Sequence, residues 1–587
     1  MPQSIADFAP PLHGSDVEQC AASDRPAPSF LLDLYSTADP IWSLRIAQAT
    51  WAFFALGIVL RLGRYLLCFP LWGDEAYLVV NFPHRGYLEL LKPLDYGQVC
   101  PILFLWAELA CVQIFGLSEW SLRLFPCVCG LLGLCLFRQV ASRVLKGVPL
   151  LIAVAIFAVS YYPIRHAAEV KPYASDLLVS LILIYLTMRW LRTPSESRWL
   201  WFLAGTIPFA LGLSYPAVFV AGGVSLALLT TVWTRRDKRA WIPYLLFNAL
   251  LVGTFVGLFA LITANQYESS VEVAGTAKYW GKRFPPLTNP WELLVWFVSN
   301  HTGRFFGYPI GDDNGASSHA FLCFAVGAAV LWRHGDRRLL GLFLAPFGLN
   351  LLAAALQRYP YGGSGRIAQH LAPMICLLAG LGAAALLARF RTERARRRGV
   401  AIVAGSLALF GSMLLLSDIV HPYKQRYDRQ VRDFARCLWI DKAQDAELVC
   451  LSEDLHEDFA TAALDITGAP KAQYLCYQRI YAPRQRGRQR PQWEAVSATR
   501  PLRCVAFRLS DSPRDQIAFC DWLAKMQQKF DWVGYEKHDL PCYYRRWRDS
   551  NSVRFEVYEF TPKGESATAN LPWKMQLLTP APRVMGN

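Results

Sequence analysis

Charge is what this chain has least of. Only 18% of its 587 residues are charged, while 53% are hydrophobic; a soluble domain carries about 25% charged residues. The shortfall is concentrated between residues 46 and 419, where apolar runs follow one another with short polar breaks. Residues 245–262 show no polar face. That excludes a large soluble helical protein, whose helices keep a polar stripe toward water. The chain also lacks the cysteine spacing of a zinc site, any compact metal motif and any internal repeat, and no cleavable signal is expected at its start. The net charge of +15 does not indicate nucleic acid, because the basic residues cluster in short loops between apolar runs, at 235–239, 333–338 and 389–398. That is the pattern of cytoplasmic loops.

What remains is a membrane protein. A helix needs about 20 apolar residues to cross a bilayer, and lipid offers no partner to bare peptide groups. Apolar segments fall at 46–68, 99–116, 121–140, 148–163, 174–191, 199–214, 216–233, 241–263, 318–332, 339–357, 368–388 and 399–419. The expected fold is a polytopic α-helical membrane protein of about 11–13 transmembrane helices with a small C-terminal α/β soluble domain. Residues 1–45 read as a loose cytoplasmic tail. Residues 46–420 form the membrane domain, with long loops at 69–99 and 264–318, and residues 421–587 an exoplasmic α/β domain. Within the second loop, 290–306 (PWELLVWFVSNHTGRFF) is too short and polar to span and reads as an interfacial helix, with a shorter one at 86–94. Past residue 421 a helix is expected over 428–440 and strands over 447–451, 503–508 and 553–560, with a basic loop at 483–491. Six of the fifteen cysteines lie here, Cys437, Cys450, Cys476, Cys504, Cys520 and Cys542. They are compatible with disulfides or with buried thiols.

Three clusters could carry chemistry. The first loop holds Asp74 and Glu75, adjacent carboxylates beside a membrane surface, which read either as solvated loop acids or as a general base with metal or substrate binding. Further along it, Asp95 and Gln98 precede an apolar segment and read as helix caps or as acceptor contacts. The second cluster is Arg165, Glu169, Lys171 and Tyr173, where Arg165 and Glu169 are spaced for a helical ion pair. The third is the stretch from Arg358 to His370. Its Tyr361 reads as an aromatic anchor of an exoplasmic turn or as an acceptor contact, its three glycines free the backbone for close approach to a ligand, and Arg366 and His370 could donate to a phosphate.

The order of these clusters resembles the polytopic glycosyltransferases of the GT-C superfamily, in the protein-mannosyltransferase and aminoarabinose-transferase-like branch. The matching residues are Asp74-Glu75, Leu94-Asp95-Tyr96-Gly97-Gln98 with Pro101, the stretch from Gly116 to Pro126 (GLSEWSLRLFP), Arg165 to Tyr173, and Arg366 to Pro373. The resemblance spans roughly residues 46 to 390 and does not reach the C-terminal part. It implies an enzyme of the plasma or inner membrane. Such an enzyme takes a sugar from a polyprenyl-phosphate donor and passes it, with inversion, to a lipid, glycan or protein acceptor. Asp74 would be the general base or acceptor-orienting carboxylate, with Glu75 beside it. Arg165, Lys171, Arg366 and His370 would stabilise the departing lipid phosphate, and Glu169 and Tyr173 would touch sugar or acceptor. A divalent cation, magnesium or manganese, is compatible with Asp74 and Glu75 but not required. Glu169 departs from the Asp that several branches carry nearby. The alternatives are a transporter or flippase of lipid-linked sugars, and a membrane-anchored interaction protein. If Asp74 and Glu169 share one exoplasmic site, the number of crossings must be odd: thirteen, or eleven with one segment between residues 99 and 163 failing to span.

Overall fold

All twelve apolar segments are helical in the structure, a computed structural model. It describes residues 39–83, 85–235, 238–268, 281–311, 315–333, 337–424, 426–438, 447–450, 476–477, 501–508, 524–542 and 551–563. Most of the expected tail, the basic loop at 483–491, Cys520 and parts of the loops at 235–239, 264–318 and 333–338 lie outside these residues.

The helices are α1 (Pro40–Leu66), α2 (Gly73–Val79), α3 (Ile102–Phe115), α4 (Glu119–Val144), α5 (Gly147–Val159), α6 (Tyr161–His166), α7 (Tyr173–Arg192) and α8 (Arg198–Leu213). After them come α9 (Ala217–Arg235), α10 (Lys238–Leu258), α11 (Pro290–Thr302), α12 (Ser318–Arg333), α13 (Arg337–Ala355), α14 (Ala372–Ala388), α15 (Glu393–Val420) and α16 (Arg426–Arg436). Their starts follow local chemistry. Asp39 accepts the amides of Ile41 and Trp42 ahead of α1, Ser118 and Ser121 form a reciprocal cap on α4, and Thr392 caps α15. Among the described residues eight helices are long and apolar enough to cross a membrane; α3, α5, α8 and α12 are apolar but shorter.

Polar ties between helix ends establish which ends share a face. At the lower face, Arg397 at the start of α15 pairs with Asp39 at 2.8 Å, and Arg192 donates to the Arg143 carbonyl. At the upper face, Arg64 pairs with Asp418, Tyr65 donates to the Trp120 carbonyl, and Ser175 donates to the Leu213 carbonyl. Tyr215 and Gln266 both bind the backbone of Cys100 there. Thus α3 starts at the upper face beside Cys100. It also ends there, because the Gly116 carbonyl accepts from Ser121 at the start of α4. A helix of 14 residues, roughly 21 Å long at 1.5 Å per residue, therefore lies along the face. Trp106 and Gln113 pin it to Tyr87 of the first loop. With α3 set aside, eleven apolar helices remain among the described residues, eight of them long enough to cross a membrane, and the start of α1 and the end of α15 lie on opposite faces. Between residues 99 and 163, α3 is the apolar segment whose two ends share one face.

The core centres on α5 and α14, buried nearly all round. Small residues let the backbones meet: a Cβ on Gly380 would stand 2.5 Å from the Ala153 Cα, and one on Gly382 would strike the Cys323 carbonyl. Beyond α15 the chain forms a sheet of β1 (Glu447–Cys450), β2 (Leu502–Arg508), β3 (Phe530–Cys542) and β4 (Asn551–Pro562), in the order β1-β2-β4-β3. The β1–β2 pair is parallel and the others are antiparallel. The strands expected at 447–451, 503–508 and 553–560 are β1, β2 and β4. The sequence reading missed β3, whose run contains Lys537, His538, Asp539 and Pro541. This part docks on the first loop. Tyr477 bonds the backbone of Leu71, and Arg432 donates to the Cys68 carbonyl. Cys437 and Cys476 are free thiols.

Candidate active site

The first loop, the α6–α7 connection, the turn before α14 and the residues just after α15 converge at the upper face. Asp74, in the first turn of α2, accepts a hydrogen bond from Arg366 Nη1 at 2.7 Å, although 292 residues separate them. Arg165 grips one oxygen of Glu169 through Nε at 3.0 Å and Nη2 at 2.8 Å, and His166 Nδ1 meets the other. Lys171 donates to Gln98 Oε1 at 2.6 Å. Trp72 lies at the centre: Lys424 Nζ stands 2.9 Å from its ring centre, with Arg165 at 5.8 Å and Arg366 at 5.9 Å. Tyr173 packs edge-on against His166.

The charges perturb one another. Burial opposes the Asp74 carboxylate, but Arg366, Lys171 and Lys424 outweigh it and hold the carboxyl below its ordinary value. Burial opposes Glu169 likewise, yet Arg165 and His166 hold it well below. Lys171 is lowered by burial against the pull of Asp74. Lys424 is exposed as a residue, but its ammonium lies over the Trp72 ring, and the lost hydration there, with Arg165 beside it, pushes that group down to about 7. Arg165, Lys171, Arg366 and protonated Lys424 face Asp74 and Glu169, an excess of two positive charges. A crown of this sign suits a dianion such as a phosphate ester.

The structure thus brings together Asp74, Gln98, Arg165, Glu169, Lys171, Tyr173 and Arg366. It does not bring in the others. Glu75 faces the opposite way and is committed: Arg123 holds both its oxygens, and the amides of Val170 and Trp72 complete its shell. A buried carboxylate bonded in this way ties the first loop to α4 and to the α6–α7 connection, the pattern expected of a residue that orders the loop. Asp95 is bound by Arg85 and Asn81. Neither Asp95 nor Gln98 caps α3, whose helix follows Pro101. Tyr361 is buried in an aromatic cluster and bonds His301. His370 is buried against Phe219 and Tyr359, and no hydrogen bond or ion pair joins its ring to the crown among the described residues. The glycines before it serve the fold: Gly362 and Gly363 have φ of +63° and +68°, and Gly365 admits the Tyr162 ring. Nor does the donor set fit a divalent cation at Asp74 and Glu75, because the two carboxylates diverge toward separate arginines. Sequence reasoning gave no role to Trp72, Arg123, His166 or Lys424. The signal for Lys424 was its place five residues beyond the last apolar segment.

Among the described residues, eight helices long and apolar enough to cross a membrane, with a cationic crown at one face, define a polytopic helical membrane protein. The chain belongs to a family of unknown function (DUF6541), whose model matches residues 121–498, more than half of its length. That stretch contains Arg165, Glu169, Lys171, Arg366 and Lys424 but begins after Asp74. No curated protein matches it. Among solved structures it is similar to ArnT from Cupriavidus metallidurans bound to undecaprenyl phosphate, at 14% identity and a TM-score of 0.44, over 89% of this chain and 98% of that one. It is also similar to the archaeal oligosaccharyltransferase AglB from Archaeoglobus fulgidus in complex with an inhibitory peptide and a dolichol-phosphate, at 12% identity and a TM-score of 0.42, over 85% and 74%.

Proposed function

We propose that this protein is an inverting membrane glycosyltransferase that moves a sugar from a polyprenyl-phosphate donor to a lipid, glycan or protein acceptor. The observation that carries the reading is the Asp74–Arg366 pair set among Arg165, Lys171 and Lys424 at one end of a lipid-facing bundle. The cations bind the donor phosphate and stabilise it as it leaves. In the resting site Asp74 is ionised but a weak base, because Arg366 holds it. A phosphate drawing on Arg366 loosens that pair and raises the basicity of Asp74. The acceptor oxygen or nitrogen then attacks the anomeric carbon opposite the phosphate. Its bond to that carbon forms as the carbon–phosphate-oxygen bond breaks, and its proton passes to Asp74. Glu169 orients Arg165, and Tyr173 borders the sugar.

The site faces the exoplasm in this reading, with residues 421–587 above it and the tail in the cytoplasm. Arg143, Lys146, Arg189, Arg192, Arg389 and Arg391 at the lower face support that orientation. A flippase would gather ionisable groups midway along broken helices, whereas these gather at one face.

The test needs no knowledge of the sugar. Cells without the protein should accumulate a glycosylated polyprenyl phosphate, and Asp74→Asn, correctly inserted, should fail to clear it. Normal clearance by that variant would refute the assignment.

A further inference from the structure

Beneath the crown lies a second polar arrangement that the reaction leaves unused. Arg61 of α1 is wholly buried. Its Nη1 donates to the carbonyls of Gly57 and Ala158 and its Nη2 to that of Phe157, but its Nε has no hydrogen-bond partner among the described residues. Gln369 donates through Nε2 to Tyr308 Oη and the Gly365 carbonyl, which sets the amide, and its Oε1 has no partner. His166 meets Glu169 through Nδ1, and its Nε2 has none. All three side chains line one cavity of about 10 Å³, walled by buried residues that include Ala174 and Leu177.

We infer that this cavity is a binding site for a single water molecule, which accepts from Arg61 Nε and donates to Gln369 Oε1 and His166 Nε2. The volume is near the lower bound that holds one water, and three polar partners are what a buried water typically has. The donor count selects the ligand. Arg61 offers one N–H. Gln369 offers only an acceptor. His166 also offers an acceptor, because an ionised Glu169 takes the proton of Nδ1, so Nε2 is bare. An anion would satisfy Arg61 and face two lone pairs. A metal ion would face the guanidinium. Water, with two hydrogens and a lone pair, satisfies all three.

The consequence reaches the crown. The water locks His166 as the neutral Nδ1–H tautomer, and His166 in turn holds Glu169 in place for Arg165. Arg61 and Gln369 are thus positioning residues for Arg165, acting from below. None of this rests on the reaction proposed above.

The test uses the full chain in lipid nanodiscs with nitrogen-15-labelled histidine, and His166→Asn to identify the His166 signals. Solid-state NMR at neutral pH is expected to show a ring protonated on Nδ1 alone, with magnetisation transfer from bound water to Nε2. Ala174→Val, whose added methyl groups occupy the cavity, should lose that transfer while the other histidine signals stay in place. A proton on Nε2, a doubly protonated ring, or absent transfer in the native protein would overturn the proposal. So would transfer that persists in folded Ala174→Val. If that variant does not fold, the native protein alone decides, because tautomer and transfer are both read there.

Discussion

Replacing Glu75 with Gln separates the two carboxylates that stand side by side in the sequence. Glu75 and Arg123 are 1% and 2% exposed. Removing one partner of a buried pair leaves an uncompensated charge and costs about 3–5 kcal/mol. Arg123 would keep its bonds to the Phe69 and Pro70 carbonyls, and a Gln oxygen can still accept from the Val170 amide. The lower end of that range is therefore expected, about 3 kcal/mol, or roughly a hundredfold in the unfolded-to-folded ratio. Adding Arg123→Met removes the stranded guanidinium and should restore part of the loss, a coupling that a double-mutant cycle reads directly. The assay is denaturant unfolding in mixed micelles, with transfer measured per folded molecule. Folded Glu75→Gln should transfer sugar within a few-fold of native. Native stability with abolished transfer would refute the structural assignment and return Glu75 to the chemistry.

Other expectations follow from single contacts. A phosphate dianion raises the Lys424 value from about 7. Binding of a short polyprenyl phosphate should therefore weaken by up to about tenfold per pH unit above neutrality, and Lys424→Met should flatten the profile in calorimetric titrations. A Cβ on Gly382 would strike the Cys323 carbonyl, whereas Gly253 has open space around it. Gly382→Val should therefore abolish the folded, monodisperse protein and Gly253→Val should not, as read by size-exclusion chromatography. In a cysteine-free background, cysteines at Leu88 and Phe115, 75% and 63% exposed, should label from the same side as one at His421 and from the opposite side to one at Arg394. Labelling of positions 88 and 115 from opposite sides would mean that α3 crosses.

Much of the fold was legible because lipid demands it. A run such as 245–262 can satisfy its backbone in hydrocarbon only as a helix, and every apolar segment is one. The segment 99–116 misled because composition measures affinity for an apolar setting, not direction. α3 is apolar, yet Cys100 and Gly116 tether both its ends to one face. The strand β3 was missed because Lys537, Asp539 and Pro541 break its alternation, while pairing with β4 holds it extended. In the site, Arg165 and Glu169 were readable from their spacing. Lys424 and Trp72 were not, because nothing in a chain order reports that its ends meet.

By itself, then, the sequence determined the solvent, the helices and the residue types from which a site could be made. Those follow from local rules of hydration and hydrogen bonding. Only the tertiary structure decided that Asp74 turns to Arg366 while Glu75 turns to Arg123, and that α3 has both its ends at one face. The physical reason is the same in both cases. Adjacent carboxylates on one helical turn point in different directions, and a short apolar helix can lie along a face or through it. Only partners distant in the chain choose between those outcomes.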